Sequence, residues 1–237
     1  MGCMIAAPAW ASNAFELELE GGSLWVGRAD VRIPGDEGTR FTFTDDLDAD
    51  RTGFIRARLG WRPAEQHSLL LTIAPLKADA SGSFSRDTLF NETLFPRDVP
   101  VNASYRFNNY RLTYRYRAWA TTDTSVELGG TLFVRDAKIT VETDELRDSD
   151  SDLGLVPLIS FRIAHRLRPA LSAVIDGDAL LAPQGRAIDV LSALYADVTE
   201  NVRVGVGYRI LDGGADNDDV YTFARFHHLS FLLHGRF

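Results

Sequence analysis

The sequence predicts an all-β chain that folds as a single antiparallel up-and-down transmembrane β-barrel of ten strands, with eight strands as the alternative. Three observations support this fold class. Apolar and polar residues alternate with a period of two, short and long connections follow one another in turn, and the last strand ends on an aromatic residue. No window has a comparable helical pattern, and no run of eighteen apolar residues could form a membrane-spanning helix.

The composition excludes several other classes. Hydrophobic residues make up 45% of the 237 residues, which is too many for a disordered chain. The 33 acidic residues outnumber the 25 basic ones and give a net charge of −8, so we expect no nucleic-acid partner. The single cysteine, Cys3, excludes a disulfide framework and a cysteine-built metal centre. We expect neither a cofactor nor a metal site.

The N-terminal residues 1–12 differ from the rest, and residues 13–237 form the predicted barrel domain. Ala9-Trp10-Ala11 fits the small-x-small pattern that precedes a signal-peptidase cleavage site, but no basic region comes before it. Residues 1–12 are therefore interpreted either as the remnant of a signal peptide or as a flexible terminus.

The alternation begins at Phe15, where Phe15, Leu17 and Leu19 are interleaved with acidic residues, as in a strand whose two faces differ. The β-forming residues Val, Ile, Thr, Tyr and Phe dominate this segment and those that repeat the pattern. The predicted strands span residues 14–33, 54–62, 68–78, 103–118, 125–142, 153–165, 170–181, 187–198, 202–211 and 220–237.

The connections between these segments fix their number. Four are short and turn-like, at residues 63–66, 121–124, 166–169 and 199–201. Five are mostly longer and rich in Gly, Asp, Asn and Ser, at residues 34–53, 79–102, 143–152, 182–186 and 212–219. Five loops and four turns need ten strands, and both termini then lie at the end of the barrel that carries the turns.

One face of the predicted strands is charged and rich in arginine, whereas lysine occurs only at Lys77 and Lys138. Arginine forms bidentate pairs with carboxylates and loses less than lysine on leaving water, so a narrow lumen crossed by ion pairs is favoured over a solvated exterior. The predicted lumen network comprises Glu16, Glu18, Glu20, Arg56, Arg58, Arg111, Arg115, Arg117, Glu127, Arg162, Asp176, Asp178, Asp189, Arg203, Arg209 and Arg236. The opposite face carries aromatic residues typical of membrane interfaces, at Trp25, Trp61, Tyr110, Tyr116, Trp119, Tyr208 and Tyr221.

The C-terminal strand reads FHHLSFLLHGRF and ends on Phe237, with Phe231 and Leu233 on the same face. It resembles the terminal strand of Gram-negative outer-membrane β-barrel proteins. The resemblance implies that Phe231, Leu233 and Phe237 form the membrane-insertion signal read by the barrel-insertion machinery. It also implies a monomer in the bacterial outer membrane with both termini periplasmic, in contact with membrane lipid and lipopolysaccharide. On the outward face, Arg225 and His227 are candidates for contact with lipid A phosphates.

Three internal strings look like recurring features of a group of small outer-membrane barrels, a resemblance of class that brings no activity with it. They are TLFVRDAKI at 131–139, PQGRAID at 183–189, and YRILDGGAD at 208–216 followed by VYTFA at 220–224.

Candidate catalytic residues are few. His228 and Ser230 share one face of the last strand, similar to the His-x-Ser pair of outer-membrane lipid A deacylases, but that pair faces lipid, whereas here the alternation directs both side chains into the lumen. Asp176, Asp178 and Asp189, facing Arg203 and Arg209, form a second candidate group that is loosely similar to the carboxylates of ten-stranded outer-membrane proteases.

The acidic runs at 45–50, 148–152 and 215–219 are interpreted as solvated loops. Counted from Asp46 and from Asp148, the first two lack the glycine that a calcium-binding loop needs at its sixth position, so we expect no metal site. The sequence thus favours a small non-enzymatic outer-membrane protein whose lumen is filled by Arg–carboxylate pairs, because ten strands enclose little more than side chains. The alternatives are an outer-membrane hydrolase using either candidate group, and a narrow porin-like channel or small-ligand transporter.

Overall fold

The computed structural model describes residues 14–183 and 185–237, so the interpretation of residues 1–12 concerns a segment outside the described part of the chain. None of the described residues forms a helix long and apolar enough to cross a membrane. The strands are β1 Ala14–Arg32, β2 Phe41–Thr42, β3 Leu47–Ala49, β4 Thr52–Ala64, β5 His67–Ala74, β6 Lys77–Ser83, β7 Thr88–Phe90, β8 Thr93–Phe95, β9 Pro100–Ala120, β10 Thr124–Glu142, β11 Arg147–Arg168, β12 Leu171–Ala182, β13 Gly185–Asp197, β14 Val202–Asp216 and β15 Tyr221–Arg236.

The strands close into one antiparallel barrel. The order around the ring is β1, β4, β5 continued by β6, β9, β10, β11, β12, β13, β14 and β15, which pairs again with β1. Since β5 and β6 both pair with β9 and form one interrupted wall strand, the ring has ten members. The prediction of a ten-stranded up-and-down barrel is confirmed, and the alternative of eight strands is wrong.

The two ends of the barrel differ. The turn end carries the short connections 65–66, 121–123, 169–170 and 198–201, and the backbone of Phe15 pairs there with Phe237. The loop end carries residues 33–51 and 84–99, together with three connections that are shorter than predicted. Residues 147–152, 185–186 and 212–216 belong to strands instead of loops, because their polar side chains find partners: Asp148, for example, accepts hydrogen bonds from Asn91 and Glu92.

The outer face is apolar along the wall strands. Leucine, isoleucine, valine and tyrosine side chains stand outward on alternate residues, as Leu112 and Tyr114 do on β9, and both are more than 40% exposed. Trp61, Tyr116 and Trp119 lie near the turn end, and Trp25 packs with Tyr208 and His227 further toward the loop end. An apolar exterior flanked by aromatic side chains is what a lipid environment favours.

The interior changes character along the barrel axis. Its middle is charged, as predicted, but its loop-end half is an apolar core that the sequence interpretation did not anticipate. Residues of the two long loops fold inward onto the strands and bury Phe41, Phe43, Phe84, Phe90 and Phe95 almost completely. These aromatic residues lie in segments predicted as polar loops, because the Gly, Asp and Ser around them dominated the composition.

A β-bulge at Gly27 resets the alternation of β1. Leu24 points inward on an even position, whereas Ala29 and Val31 are buried on odd positions beyond the register shift between Val26 and Arg28. A bulge inserts one residue and exchanges the faces of all that follow. Arg28 therefore lies outside the lumen, although strict alternation would direct it inward.

Candidate functional site: a charged belt between two cavities

Eleven charged side chains fill the middle of the barrel and define a structure that we call the belt. They lie on alternate positions of seven wall strands, so the two-residue period of each strand directs all of them inward. The belt consists of Glu18, Glu20, Arg56, Arg58, Arg111, Arg115, Arg162, Asp176, Asp178, Asp189 and Arg209. Ten of them are buried and Arg162 is partly buried.

Asp176 on β12 is the first centre of the belt. Its carboxylate accepts hydrogen bonds from Arg58 at 3.0 Å, from Arg115 at 2.8 Å and from Arg162 at 2.7 Å. Arg58 comes from β4, which stands opposite β12 in the ring of ten strands. The Arg58–Asp176 pair therefore crosses the full width of the lumen.

Asp189 on β13 is the second centre, nearer to the loop end. It pairs with Arg209 at 2.5 Å, with Arg111 at 2.7 Å and with Arg56 at 3.0 Å. Each of these guanidinium groups comes from a different strand, so a second layer of contacts crosses the barrel. Together the two aspartates bind six arginines from four strands, β4, β9, β11 and β14.

The other three carboxylates complete the belt. Glu20 accepts two bonds from Arg209, at 2.9 and 2.7 Å, and Glu18 lies 3.4 Å from Arg58. Asp178 lies 2.7 Å from Arg111. Neutral donors supply further bonds: Tyr195 donates to Glu18 at 2.9 Å, Thr131 to Asp178 at 2.8 Å and Ser230 to Glu20 at 2.7 Å. All five carboxylates are therefore satisfied.

A belt of this kind crosses the lumen but is not an efficient source of stability. Removing two charges from water costs several kcal/mol per ion, and their attraction roughly offsets that cost when the geometry is good. Removing one member is different, because it leaves an opposite charge buried without a partner. The arrangement thus favours a complete set of pairs over any partial one.

The candidate catalytic residues each have other neighbours in this arrangement. The Ser230 hydroxyl donates to Glu20, whose oxygens are also held by Arg209. The His228 ring contacts Phe54 edge-on with centroids 4.7 Å apart, and its Nδ1 has no hydrogen-bond partner within the described chain. Asp178 is bound by Arg111 and Thr131 instead of His228.

Glu20 is therefore the acid next to Ser230, a contact that spacing along the chain did not reveal because it links the first strand to the last. The two-residue alternation did place Glu20 and Ser230 on the inner faces of their strands. Tyr195 was also missed, although it follows Asp189 on the same face of β13. That face continues through Leu191 and Ala193. Because Tyr195 is the next alternate residue, the same alternation could have identified it as a lumen residue.

Between the belt and the turn end lies a polar cavity of about 810 Å³. The remaining predicted network residues line it: Glu16, Arg117, Glu127, Arg203 and Arg236. Their partners differ from those in the belt. Glu127 lies 3.5 Å from Arg62 and Glu16 lies 3.5 Å from His234. The Arg203 guanidinium stacks 4.9 Å from the Tyr195 ring centroid, so Arg203 does not pair with the aspartate cluster as predicted.

The outer wall near the loop end carries a second charged group. Asp212 accepts bonds from Arg186 at 2.6 Å and from Arg225 at 2.5 Å. Arg225 is the residue that the sequence placed on the outward face, and His227 lies beside it, stacked on Trp25. Phe231, Leu233 and Phe237, the residues of the predicted membrane-insertion signal, also lie outward and are exposed.

Within the described residues, no cluster of three or more His, Cys, Asp or Glu side chains has the geometry to hold a metal ion. The carboxylates of the belt are bound by arginine. The chemistry that this arrangement supports is therefore mutual neutralisation of charge inside a narrow lumen.

Comparison with known proteins identifies the fold. No family model matches the chain, and no curated protein matches it. The outer membrane protease OmpT from Escherichia coli is similar in structure, with a TM-score of 0.62 and 11% identity over 98% of this chain and 99% of that one. The chain has the fold of bacterial outer-membrane β-barrel proteins. At 11% identity, the similarity of this outer-membrane barrel to OmpT concerns the fold alone.

Two further solved structures are similar at lower scores. An outer membrane channel from Pseudomonas putida F1 has a TM-score of 0.46 and 8% identity, covering 100% of this chain and 99% of that one. The attachment invasion locus protein Ail of Yersinia pestis has a TM-score of 0.37 and 12% identity over 94% of this chain and 98% of that one.

Proposed function

We propose that this chain is a small, non-enzymatic, non-conducting protein of the bacterial outer membrane. The observation that carries the proposal is the belt, in which Asp176 and Asp189 bind arginines from across the barrel. Ion flow would need a continuous aqueous path, and the belt fills the cross-section with buried side chains that bind one another. One cavity, of about 810 Å³, lies on its turn-end side, and a second, of about 490 Å³, lies on its loop-end side.

The proposed location is supported by the apolar outer face and by the aromatic residues near its ends. In the proposed orientation the turn end and both termini face the periplasm. Lipopolysaccharide is the proposed lipid partner, because Arg186 and Arg225 lie on the outer wall near the loop end, above Trp25 and His227. Guanidinium groups bind phosphate through two parallel hydrogen bonds. We also propose a monomer inserted by the general barrel-insertion machinery.

We expect the purified barrel to show no channel steps in planar lipid bilayers. A variant that removes both centres and the arginines that reach them from β4 and β9, R56S/R58S/R111S/R115S/D176S/D178S/D189S, should conduct, because it opens both layers of the cross-section and leaves two arginines and two glutamates, with Arg209 still paired to Glu20. The control is R106S/D136S, which removes an exposed pair 3.0 Å apart and should stay silent. Steady conductance by the wild type would support the narrow channel instead.

The hydrolase alternative has its own test at Ser230. Since its hydroxyl donates to Glu20 and is fully buried, we expect no labelling by a fluorophosphonate probe and no hydrolysis of p-nitrophenyl esters. Ser230→Ala should cost about 1.5–3 kcal/mol of stability, the usual contribution of a hydrogen bond to a charged group. Labelling of the wild type that disappears in Ser230→Ala would establish a serine nucleophile and overturn the non-enzymatic proposal.

A further inference from the structure

The barrel wall has a notch between β11 and β12. The two strands pair only from Ile159 opposite Ala179 toward the turn end. Beyond that point β12 continues for only three residues before the connection to β13. Among the described residues, 147–158 of β11 pair with β10 alone. Pro157, which has no N–H to donate, stands at the start of this unpaired stretch, a position where proline is tolerated in sheets.

The rim of the notch is apolar. On β11, Leu153 and Leu155 are exposed by 74% and 66%, and on β12 Leu181 is exposed by 74%. These side chains stand on the outward face that continues the apolar exterior of the barrel. The opening therefore faces the hydrocarbon side of the wall, whereas the acidic residues Asp148 and Asp150 lie further toward the loop end.

Behind the notch lies a cavity of about 490 Å³, above the belt. Its wall includes both edges of the notch and a chain of aromatic rings. Phe226 and Tyr105 have centroids 5.8 Å apart, Tyr105 and Phe107 5.9 Å, and Phe107 and Phe133 6.1 Å. Protein interiors rarely leave large voids, and cavities of roughly 300–1,000 Å³ with apolar walls are typical of small-molecule sites.

The charges around the cavity indicate what it would accept. The charged residues in the cavity wall are equal in number: Arg135, Lys138 and Arg186 are basic, and Asp150, Asp152 and Asp212 are acidic, with Arg186 and Asp212 on the outer side of that wall. Arg135 pairs with Asp152 and Arg186 with Asp212. At the floor, Arg111 and Asp189 are already paired within the belt. A charged ligand would find no net opposite charge here and would lose its hydration.

We propose that this cavity is a binding site for an uncharged, largely apolar small molecule of about two to three fused rings, reached from the membrane through the notch between β11 and β12. The size follows from the volume, which is about three times that of the ~150 Å³ apolar cavity known to accept benzene. Stacked or edge-on contacts with the four aromatic rings would favour a flat ligand. This site goes beyond the proposed closed barrel, since the belt beneath it blocks onward passage.

The test uses the full-length barrel in phospholipid nanodiscs, with 1-aminoanthracene as a fluorescent, uncharged, three-ring probe and empty nanodiscs as the baseline. We expect saturable binding of one probe per barrel. Ala137→Phe, on the inner face of β10 in the cavity wall, should weaken binding at least tenfold. Ala164→Phe places the same group in the turn-end cavity and should leave the affinity unchanged. Anthracene-9-carboxylate, of similar shape but anionic, should bind at least tenfold more weakly.

The route has a separate readout. Ala182→Trp adds bulk to the β12 edge of the notch, so it should slow association and dissociation by the same factor and leave the equilibrium constant unchanged. Equal weakening by Ala137→Phe and Ala164→Phe, or no saturable binding above empty nanodiscs, would contradict the site. Unchanged rates in Ala182→Trp would contradict the route. Heat-dependent gel mobility verifies that each variant is folded, and none of these outcomes alters the conductance test of the belt.

Discussion

Replacing Asp176 by Asn is expected to lower the free energy of unfolding by about 3–5 kcal/mol, the usual cost of removing one partner from a buried ion pair. Asp176 holds Arg58, Arg115 and Arg162 within 3.0 Å, and asparagine keeps the shape of the side chain but not its charge. Three guanidinium groups would then face one another in a site shielded from water. Equilibrium urea unfolding in phospholipid vesicles, followed by tryptophan fluorescence, measures the change.

The control for this variant is Asp152→Asn, which removes the same charge from an exposed pair with Arg135. Exposed ion pairs contribute about 0–1 kcal/mol, so this variant should unfold close to the wild type. Equal effects at the two positions would mean that the interior is hydrated enough to screen its charges, and the belt would then not close the lumen.

Replacing Gly129 by Ala is expected to destabilise the barrel by about 3 kcal/mol or more. A Cβ atom at Gly129 would lie 1.8 Å from the carbonyl oxygen of Tyr114 and 2.8 Å from the Cα of Arg115. Both are backbone atoms of the neighbouring strand β9, so relief requires β9 and β10 to move apart, and overpacking of this kind costs about 1–3 kcal/mol or more.

Gly130, the next residue on β10, supplies the control. Its Cβ would meet only the Leu158 carbonyl oxygen at 3.7 Å, an ordinary contact, so Gly130→Ala should change stability by about 0.5 kcal/mol or less. Folded yield and urea midpoints of the two single variants give the comparison. If Gly129→Ala were as stable as Gly130→Ala, the close approach of β9 and β10 would not be a feature of the folded protein.

Much of the fold was predictable because a strand has one simple rule. The period of two directs Arg56 and Arg58, Asp176 and Asp178 to the same side of their strands, and no knowledge of neighbours is needed. The alternation of short and long connections then gives the number of strands. Both observations depend on local sequence alone, which is why the ten-stranded barrel could be predicted.

The parts that could not be predicted depend on contacts between distant segments. The bulge at Gly27 shifts β1 against β15 by one residue, and alternation within one strand contains no sign of it. Which carboxylate binds which arginine depends on the register of ten strands at once, so the Ser230–Glu20 contact was not visible from spacing. The apolar core was missed for a different reason. Phe84, Phe90 and Phe95 lie in segments whose average composition is polar, so these segments were predicted as loops.

The belt also has a consequence for assembly. Glu20 lies on the first wall strand, whereas its partners Arg209 and Ser230 lie on the last two, so these bonds exist only once the sheet has curled round and its edges have met. Until then the inner face is a hydrated surface of opposite charges. The apolar outer face alone does not favour one register between the first and last strands over another. A slip by one residue would turn lumen charges toward lipid. The ion pairs of the interior therefore disfavour any closure of the barrel that leaves a charge without a partner.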